Sequence, residues 1–373
     1  MEFINLKAHY KALQEEIDSS IAETLSDGRY IMGEQVSELE QDLAKFIGVK
    51  HAVTCGNGTD ALQLIFMAYG IGKGDAVFCP AVTFIASVEP ACMLGAEAVF
   101  CDIDRYSYNI SPPSLVKAIE NIVKDGRLKP KAIVAVDFLG NPANYNQLEV
   151  IAQKYNLILI EDAAQSMGAI QNTQKCGSFG LAAATSFFPS KPLGCYGDGG
   201  AVFTDDDALA EMIQSLRLHG KGKDKYNNLR IGINSRLDTL QAAILLCKLK
   251  ALPTEMEKKQ QVAQYYNKAF KDYFALQQVS QNNVSAFSQY TLLAESTEQR
   301  SKILKELSLA KIPYMIYYPI PLNKLPVFQN GESDSVSTAN SLFYCERTFS
   351  IPFSPYITKD EQEQVISAVL SAR

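Results

Sequence analysis

Lys191 stands among aromatics, prolines and glycines in Ser186-Phe187-Phe188-Pro189-Ser190-Lys191-Pro192-Leu193-Gly194, with Asp198-Gly199-Gly200 just beyond. Burial in such surroundings disfavours an ammonium, and the neutral amine it leaves attacks carbonyls. The plainer reading is a surface lysine laying its stem over the rings. A second segment, Ile158-Leu159-Ile160-Glu161-Asp162-Ala163-Ala164-Gln165, ends an apolar run in two carboxylates, two small residues and an amide. Asp162 there suits a protonated ring nitrogen, and the alanines let a planar group approach the backbone; a helix cap or a solvated pair also fits. In Cys55-Gly56-Asn57-Gly58-Thr59-Asp60, two glycines and a threonine precede a helical stretch. Free N–H groups and a hydroxyl at that place favour a phosphate, and equally a capped structural turn. Asn234-Ser235-Arg236-Leu237-Asp238 places an arginine at a helix start, where it suits an anion or an ordinary ion pair.

Taken together, the four segments match what pyridoxal 5'-phosphate requires: a lysine for a Schiff base, an acid for the pyridine nitrogen, an aromatic face and a phosphate cup. Rival cofactor markers are missing. Neither GxGxxG nor GxxxxGK[ST] occurs, and the three histidines form no HExxH or Cys/His cluster, so no metal site is expected.

Positioning these groups falls to a chain of 373 residues, enough for two domains. Hydrophobic residues are 47% and charged residues 20%, a core-burying composition. The formal charge of −6 argues against nucleic acid or an anionic membrane as partner. No apolar run reaches a membrane span, and the start Met1-Glu2-Phe3-Ile4-Asn5 lacks the basic and apolar regions of a secretory signal. The eight scattered cysteines, none in CxxC, read as reduced thiols, so a cytoplasmic location is expected.

Up to about residue 245, short Val- and Ile-rich runs alternate with helical spacing. Ala52–Cys55, Ala76–Cys79, Ala98–Cys101, Ala132–Val136 and Leu157–Ile160 read as strands. Ile85–Leu94, Ser114–Lys124 and Leu148–Tyr155 read as helices. That alternation predicts an α/β fold, a mostly parallel sheet between helices, with ligands at the carboxyl ends of the strands. Residues 1–245 form the expected large domain and 246–373 a smaller C-terminal α+β domain. In the latter, Pro253 is expected to interrupt the helix Leu237–Leu249, and a polar helix Glu257–Asp272 follows. Tyr290–Leu293 and Pro313–Tyr318 read as strands, Asn323–Ser337 as a loop, and Thr358 with Glu361 as a capping box.

Over nearly its whole length the chain resembles the DegT/StrS family of PLP-dependent nucleotide-sugar aminotransferases, which have the aspartate-aminotransferase-like PLP fold. The motifs are Gly56-Asn57-Gly58-Thr59-Asp60-Ala61-Leu62, Thr83-Phe84-Ile85-Ala86-Ser87, Glu161-Asp162-Ala163-Ala164-Gln165, Ser186 to Lys191, Gly197-Asp198-Gly199-Gly200 and Asn234-Ser235-Arg236-Leu237. The resemblance implies that Lys191 carries the Schiff base and shuttles the proton. It implies that Asp162 holds the pyridine nitrogen, Gln165 contacts the ring oxygen and Phe84 stacks on the ring. Gly58, Thr59 and Ser186 would bind the phosphate, with Asn234 reaching it from the neighbouring subunit of a homodimer with shared sites.

The runs Phe188 to Gly200 and Pro319-Ile320-Pro321-Leu322-Asn323-Lys324 resemble the branch acting on UDP-2-acetamido-2-deoxy-3-oxo-glucuronate in bacterial surface-polysaccharide (O-antigen) synthesis. That implies a UDP-linked 3-keto sugar and L-glutamate as substrates, with pyridoxamine phosphate as the intermediate carrier. Arg236 is the candidate for a substrate carboxylate. Tyr317-Tyr318-Pro319 stands where the family commonly has His-Tyr-Pro. A phenol at 317 offers a hydrogen bond where an imidazolium would offer charge. Lys191, Arg217, Lys221, Lys223 and Arg230 are unranked candidates for the pyrophosphate, and His219 fits either the site or a helix end. A 4-keto-sugar aminotransferase and a non-catalytic ligand sensor on the same fold are the alternatives.

Overall fold

The computed structural model describes residues 1–224, 226–329 and 335–372. Nine strands come from the first part of the chain: β1 His51–Cys55, β2 Asp75–Pro80, β3 Glu97–Cys101, β4 Lys129–Val136, β5 Ile158–Asp162, the two-residue β6 Ile170–Gln171 and β7 Gln174–Lys175, β8 Ala182–Ser186 and β9 Gly200–Thr204. Seven form one sheet in the order β1-β9-β8-β5-β4-β2-β3. The sheet is mostly parallel, as expected; only β9 runs against its two neighbours. The pleat sends Ile133 and Ala135 of β4 into one apolar core and Ala132, Val134 and Val136 into the other. Burial of both faces explains why these strands read as unbroken apolar runs.

The remaining strands are β10 Ala275–Leu276, β11 Asn283–Val284, β12 Tyr290–Leu293 and β13 Thr348–Ile351. β10, β12 and β13 make a small antiparallel sheet, whose core includes Tyr266, Phe270, Leu292 and Phe349. β11 instead pairs with β6. The final helix Lys359–Ser371 opens with the expected capping box of Thr358 and Glu361.

Four stretches differ from the sequence reading. A single helix, Thr239–Phe270, runs through Pro253 and through residue 245, where the large domain was expected to end. Pro253 removes one backbone bond, but the turns on both sides are buried, and that packing outweighs the loss. The helix expected at Ile85–Leu94 is a 3-10 turn Ile85–Ser87 followed by a helix Glu89–Met93, because Pro90 belongs in a first turn and not in an interior. Pro313–Tyr318 forms no strand. Met315 alone exchanges backbone bonds with Ser350, and the prolines at 313 and 319 cannot donate to extend a ladder. Part of the expected loop is ordered as short 3-10 turns, Leu322–Lys324 and Pro326–Phe328; residues 330–334 of it lie outside the described residues. Among the described residues, no helix is long and apolar enough to cross a membrane.

Candidate active site

Asp162 is the last residue of β5, at the carboxyl end of the sheet, and only 6% exposed. Its Oδ2 accepts the Ser87 hydroxyl at 2.6 Å and its Oδ1 the Ala164 N–H at 3.1 Å. Thr83 and Ser87 share a further hydroxyl bond of 2.8 Å, so a short polar relay backs the carboxylate. Burial pushes the Asp162 pKa up, while the Ser87 and Ala164 hydrogen bonds and the positive charge of Lys191 pull it back. For Lys191 the causes reverse: desolvation lowers its pKa and Asp162 opposes. The lysine's backbone N–H is tied to the Phe188 carbonyl at 2.8 Å.

Gln165 is buried, and its Oε1 accepts the Leu139 N–H at 2.6 Å, which leaves its amide N–H groups to donate. Phe84 is 57% exposed, large for an aromatic residue at the edge of a core. Its ring lies 6.3 Å from that of Tyr318, which in turn sits 5.8 Å from Tyr317. Tyr317 also meets Phe3 at 6.3 Å, bringing the chain start to this rim.

Gly58 opens the helix Gly58–Ala68, which Asn57 caps by accepting the Asp60 N–H at 2.8 Å. A Cβ on Gly58 would lie 2.7 Å from the Cβ of Ser186, so only glycine lets this helix end meet the end of β8 so closely. Gly58, Thr59 and Ser186 thereby share one corner. Ser235 closes it: its hydroxyl donates to Asp60 Oδ2 at 2.6 Å and accepts the Gly56 N–H at 2.8 Å. That pins the 234–236 segment beside the helix end, with Asn234 exposed and Arg236 half-buried.

Among the other cations, Arg217 is buried; its Nη1 meets Glu40 Oε1 and the Thr54 carbonyl, each at 2.6 Å. It braces β1 and is not free for a ligand. Lys221 and Lys223 are exposed, Arg230 is half-buried and His219 is exposed with a positive φ. Sequence reasoning named neither Ser87 nor Ser235 as a functional residue, although both lie inside motifs it singled out. Partners 75 and 179 residues away in the chain carry no local signal. A cleft of about 680 Å³ lies elsewhere; its one charged side chain, Asp104, is already bonded to Tyr106 and Ser107.

These residues fit pyridoxal phosphate. Asp162 is a buried acceptor with no cationic side chain within ion-pair distance among the described residues, so a pyridinium would complete it. Phe84 offers an open aromatic face, and the Gly58 corner offers helix N–H groups and hydroxyls for a phosphate. Fold and site together define an aminotransferase of the PLP-dependent kind. The chain belongs to the DegT/DnrJ/EryC1/StrS aminotransferase family, whose model matches residues 11–370.

Its relatives include the UDP-2-acetamido-2-deoxy-3-oxo-D-glucuronate aminotransferase of Pseudomonas aeruginosa. That protein is 41% identical over 363 residues, covering 96% of each chain. The UDP-N-acetyl-3-dehydro-alpha-D-glucosamine 3-aminotransferase of Acidithiobacillus ferrooxidans is 34% identical over 98% of this chain and 96% of that one. Among solved structures, a DegT/DnrJ/EryC1/StrS aminotransferase from Brucella abortus superposes with a TM-score of 0.97 at 43% identity, covering 100% of this chain and 99% of that one. DesV of Streptomyces venezuelae gives 0.93 at 32% identity, over 99% and 97%.

Proposed function

We propose that this enzyme transfers the amino group of L-glutamate to C3 of a UDP-linked 3-keto sugar, UDP-2-acetamido-2-deoxy-3-oxo-glucuronate, in the cytoplasm, for a bacterial surface polysaccharide such as O-antigen. The observation that carries this reading is the 41% identity, end to end, with the Pseudomonas enzyme of that activity. When bound, pyridoxal phosphate supplies the electron sink and the carrier for the amino group.

The chain's own residues do the rest. Lys191, its amine made less basic by burial, holds the carrier and moves the proton between the donor or sugar carbon and the carrier. Asp162, buried and hydrogen-bonded by Ser87 and Ala164, would hold a proton on the ring nitrogen. Gln165 donates to the ring oxygen, Phe84 covers one ring face, and Gly58, Thr59 and Ser186 bind the phosphate. Arg236, Tyr317 and Tyr318 face the sugar, Arg236 as the fork for its carboxylate. Asn234 of a second copy completes the phosphate site in a homodimer. The exposure of Tyr30, Ile31 and Met32, and of Tyr226, Leu229 and Ile231 on the segment leading to Asn234, supports such a subunit contact.

The test is a half-reaction followed by the visible absorbance of the bound cofactor. UDP-sugars bearing a 3-amino or a 4-amino group are added, each with and without a C6 carboxylate. Conversion with the 3-amino hexuronate alone is expected. Conversion with a 4-amino sugar instead would move the reading to a 4-keto substrate. Cofactor that binds without ever being converted would replace the enzyme by a ligand sensor.

A further inference from the structure

The helix Thr239–Phe270 carries Gln241, Lys248 and Glu255 at intervals of seven residues, two turns apart on one face. All three reach other parts of the chain. Gln241 accepts the Tyr196 N–H at 2.8 Å. The Lys248 ammonium donates to the Gly194 carbonyl. Glu255 accepts the Tyr356 hydroxyl at 2.5 Å and lies 3.0 Å from the His9 imidazole. Two of the three grip the segment that closes the loop bearing Lys191.

Lys248 is the costly member. It is 1% exposed, and no carboxylate lies within ion-pair distance of it among the described residues. Its ammonium lies 4.7 Å from the centre of the Tyr196 ring, and desolvation lowers its pKa to about 8. A methionine would fill such a place without a desolvation cost. What the ammonium meets is the carbonyl of Gly194, at the closing end of a tight loop. The 187–195 loop is closed at its base by the Cys195 N–H bonded to the Phe187 carbonyl at 2.7 Å. Inside it, a Cβ on Gly194 would lie 2.6 Å from the carbonyl oxygens of both Phe188 and Pro189. A cation bonded to the Gly194 carbonyl fastens this tightly packed loop to a rigid helix.

We infer that Lys248 is a positioning residue for Lys191: its buried ammonium clamps the closing end of the 187–195 loop and so fixes where the Lys191 amine stands. The inference rests on the role proposed for Lys191 above. Displacement of a reacting group by about 1 Å costs up to about 100-fold in rate, so a loosened clamp is visible in turnover without a change in substrate contacts.

The experiment compares wild type with Lys248→Met, Lys248→Gln and Gln241→Leu. Borohydride trapping and peptide mass spectrometry count the sites whose cofactor is bound to Lys191, and kcat is expressed per such site. Lys248→Met is expected to lose about tenfold or more in kcat per loaded site, with KM changed less than about twofold. Lys248→Gln, which keeps an N–H donor, recovers part of the loss. In cofactor-free protein, acylation of Lys191 by an amine reagent is expected to change rate several-fold in Lys248→Met, a readout independent of turnover. Wild-type kcat per loaded site together with wild-type Lys191 reactivity would overturn the inference, as would a loss of activity explained wholly by fewer loaded sites. If Lys248→Met does not fold, Lys248→Gln and Gln241→Leu decide by the same two readouts. Trapping that labels no lysine in wild type would instead overturn the role of Lys191 itself.

Discussion

Glu161 and Asp162 are consecutive carboxylates at the end of β5, both buried, yet the pleat points them to opposite faces of the sheet and gives them different work. Glu161 is closed in: its two oxygens accept the Gly177 and Phe179 N–H groups at 2.6 and 2.8 Å. Its neighbours Asp137 and Cys176 bring ligand-type atoms within 4.8 Å of it, but both Asp137 oxygens are also taken, by Ala143, Tyr145 and Ser166. Burial, and then the negative charge of Asp137, drive the Glu161 pKa well above the usual carboxylate range. Burial raises the Asp162 pKa as well, but there the Ser87 and Ala164 hydrogen bonds and the positive charge of Lys191 oppose the rise. Identical chemistry thus becomes a brace closed in by two backbone N–H groups on one face and an acceptor backed by a hydroxyl relay on the other. What decides is which donors each face supplies.

The sharpest way to break that contrast is Asp162→Asn. An amide cannot keep a proton on the ring nitrogen, and kcat is expected to fall about 100- to 1000-fold, with the fold and melting temperature nearly kept. Glu161→Gln, by contrast, sits on the opposite face and keeps one of the two accepting oxygens, and is expected to leave turnover within about twofold. Equal losses in the two variants, measured by steady-state kinetics, would erase the distinction between the faces.

A smaller effect is expected from Ser87→Ala. Without that donor the Asp162 pKa rises further, so more of it is neutral in acid. Titration of the apo-protein with pyridoxal phosphate between about pH 5 and 8 should show affinity falling as pH drops, by up to about tenfold more in the variant at the acid end. A shift in the opposite direction would contradict the role given to Ser87.

The smallest effect concerns stability. A carboxyl whose folded pKa is raised binds its proton more tightly in the folded state. Its contribution is complete below the unfolded value, about 4.3, and is lost as pH rises through the folded value. Glu161→Gln removes this dependence. Relative to wild type, its urea-unfolding stability should therefore improve as pH rises from about 5. A difference that stays flat with pH would mean that Glu161 is ionised in the folded protein.

How much of this could be read from the chain follows from the range of each interaction. β2 to β5 were legible because both faces are buried and their residues are Val- and Ile-rich. β8 was not: Ala182-Ala183-Ala184-Thr185-Ser186 has weak strand preference and is a strand because β5 and β9 flank it. The segments around Asp162, Gln165, Ser186 and Lys191 stood out because a polar group among small or aromatic residues is locally odd. The Ser87–Asp162 and Ser235–Gly56 bonds join distant segments and could be seen only once the sheet placed them. Arg217 shows the converse. It is one of five unranked candidates for the pyrophosphate, but the fold spends it on Glu40 and Thr54. Pro253 misled because a local rule against interior proline met a helix buried along most of its length.

The antiparallel placement of β9 has a consequence for assembly of the chain. Because β8 and β9 are adjacent and run in opposite directions, Ser186 stands directly opposite Gly200, and the loop carrying Lys191 hangs from a hairpin. A parallel partner would have required a crossover through the rest of the fold. The hairpin needs only a short-range closure, whose entropic cost is low. The lysine-bearing ring is therefore anchored at both ends on neighbouring strands of one hairpin, so the two ends of the loop are held together by local pairing.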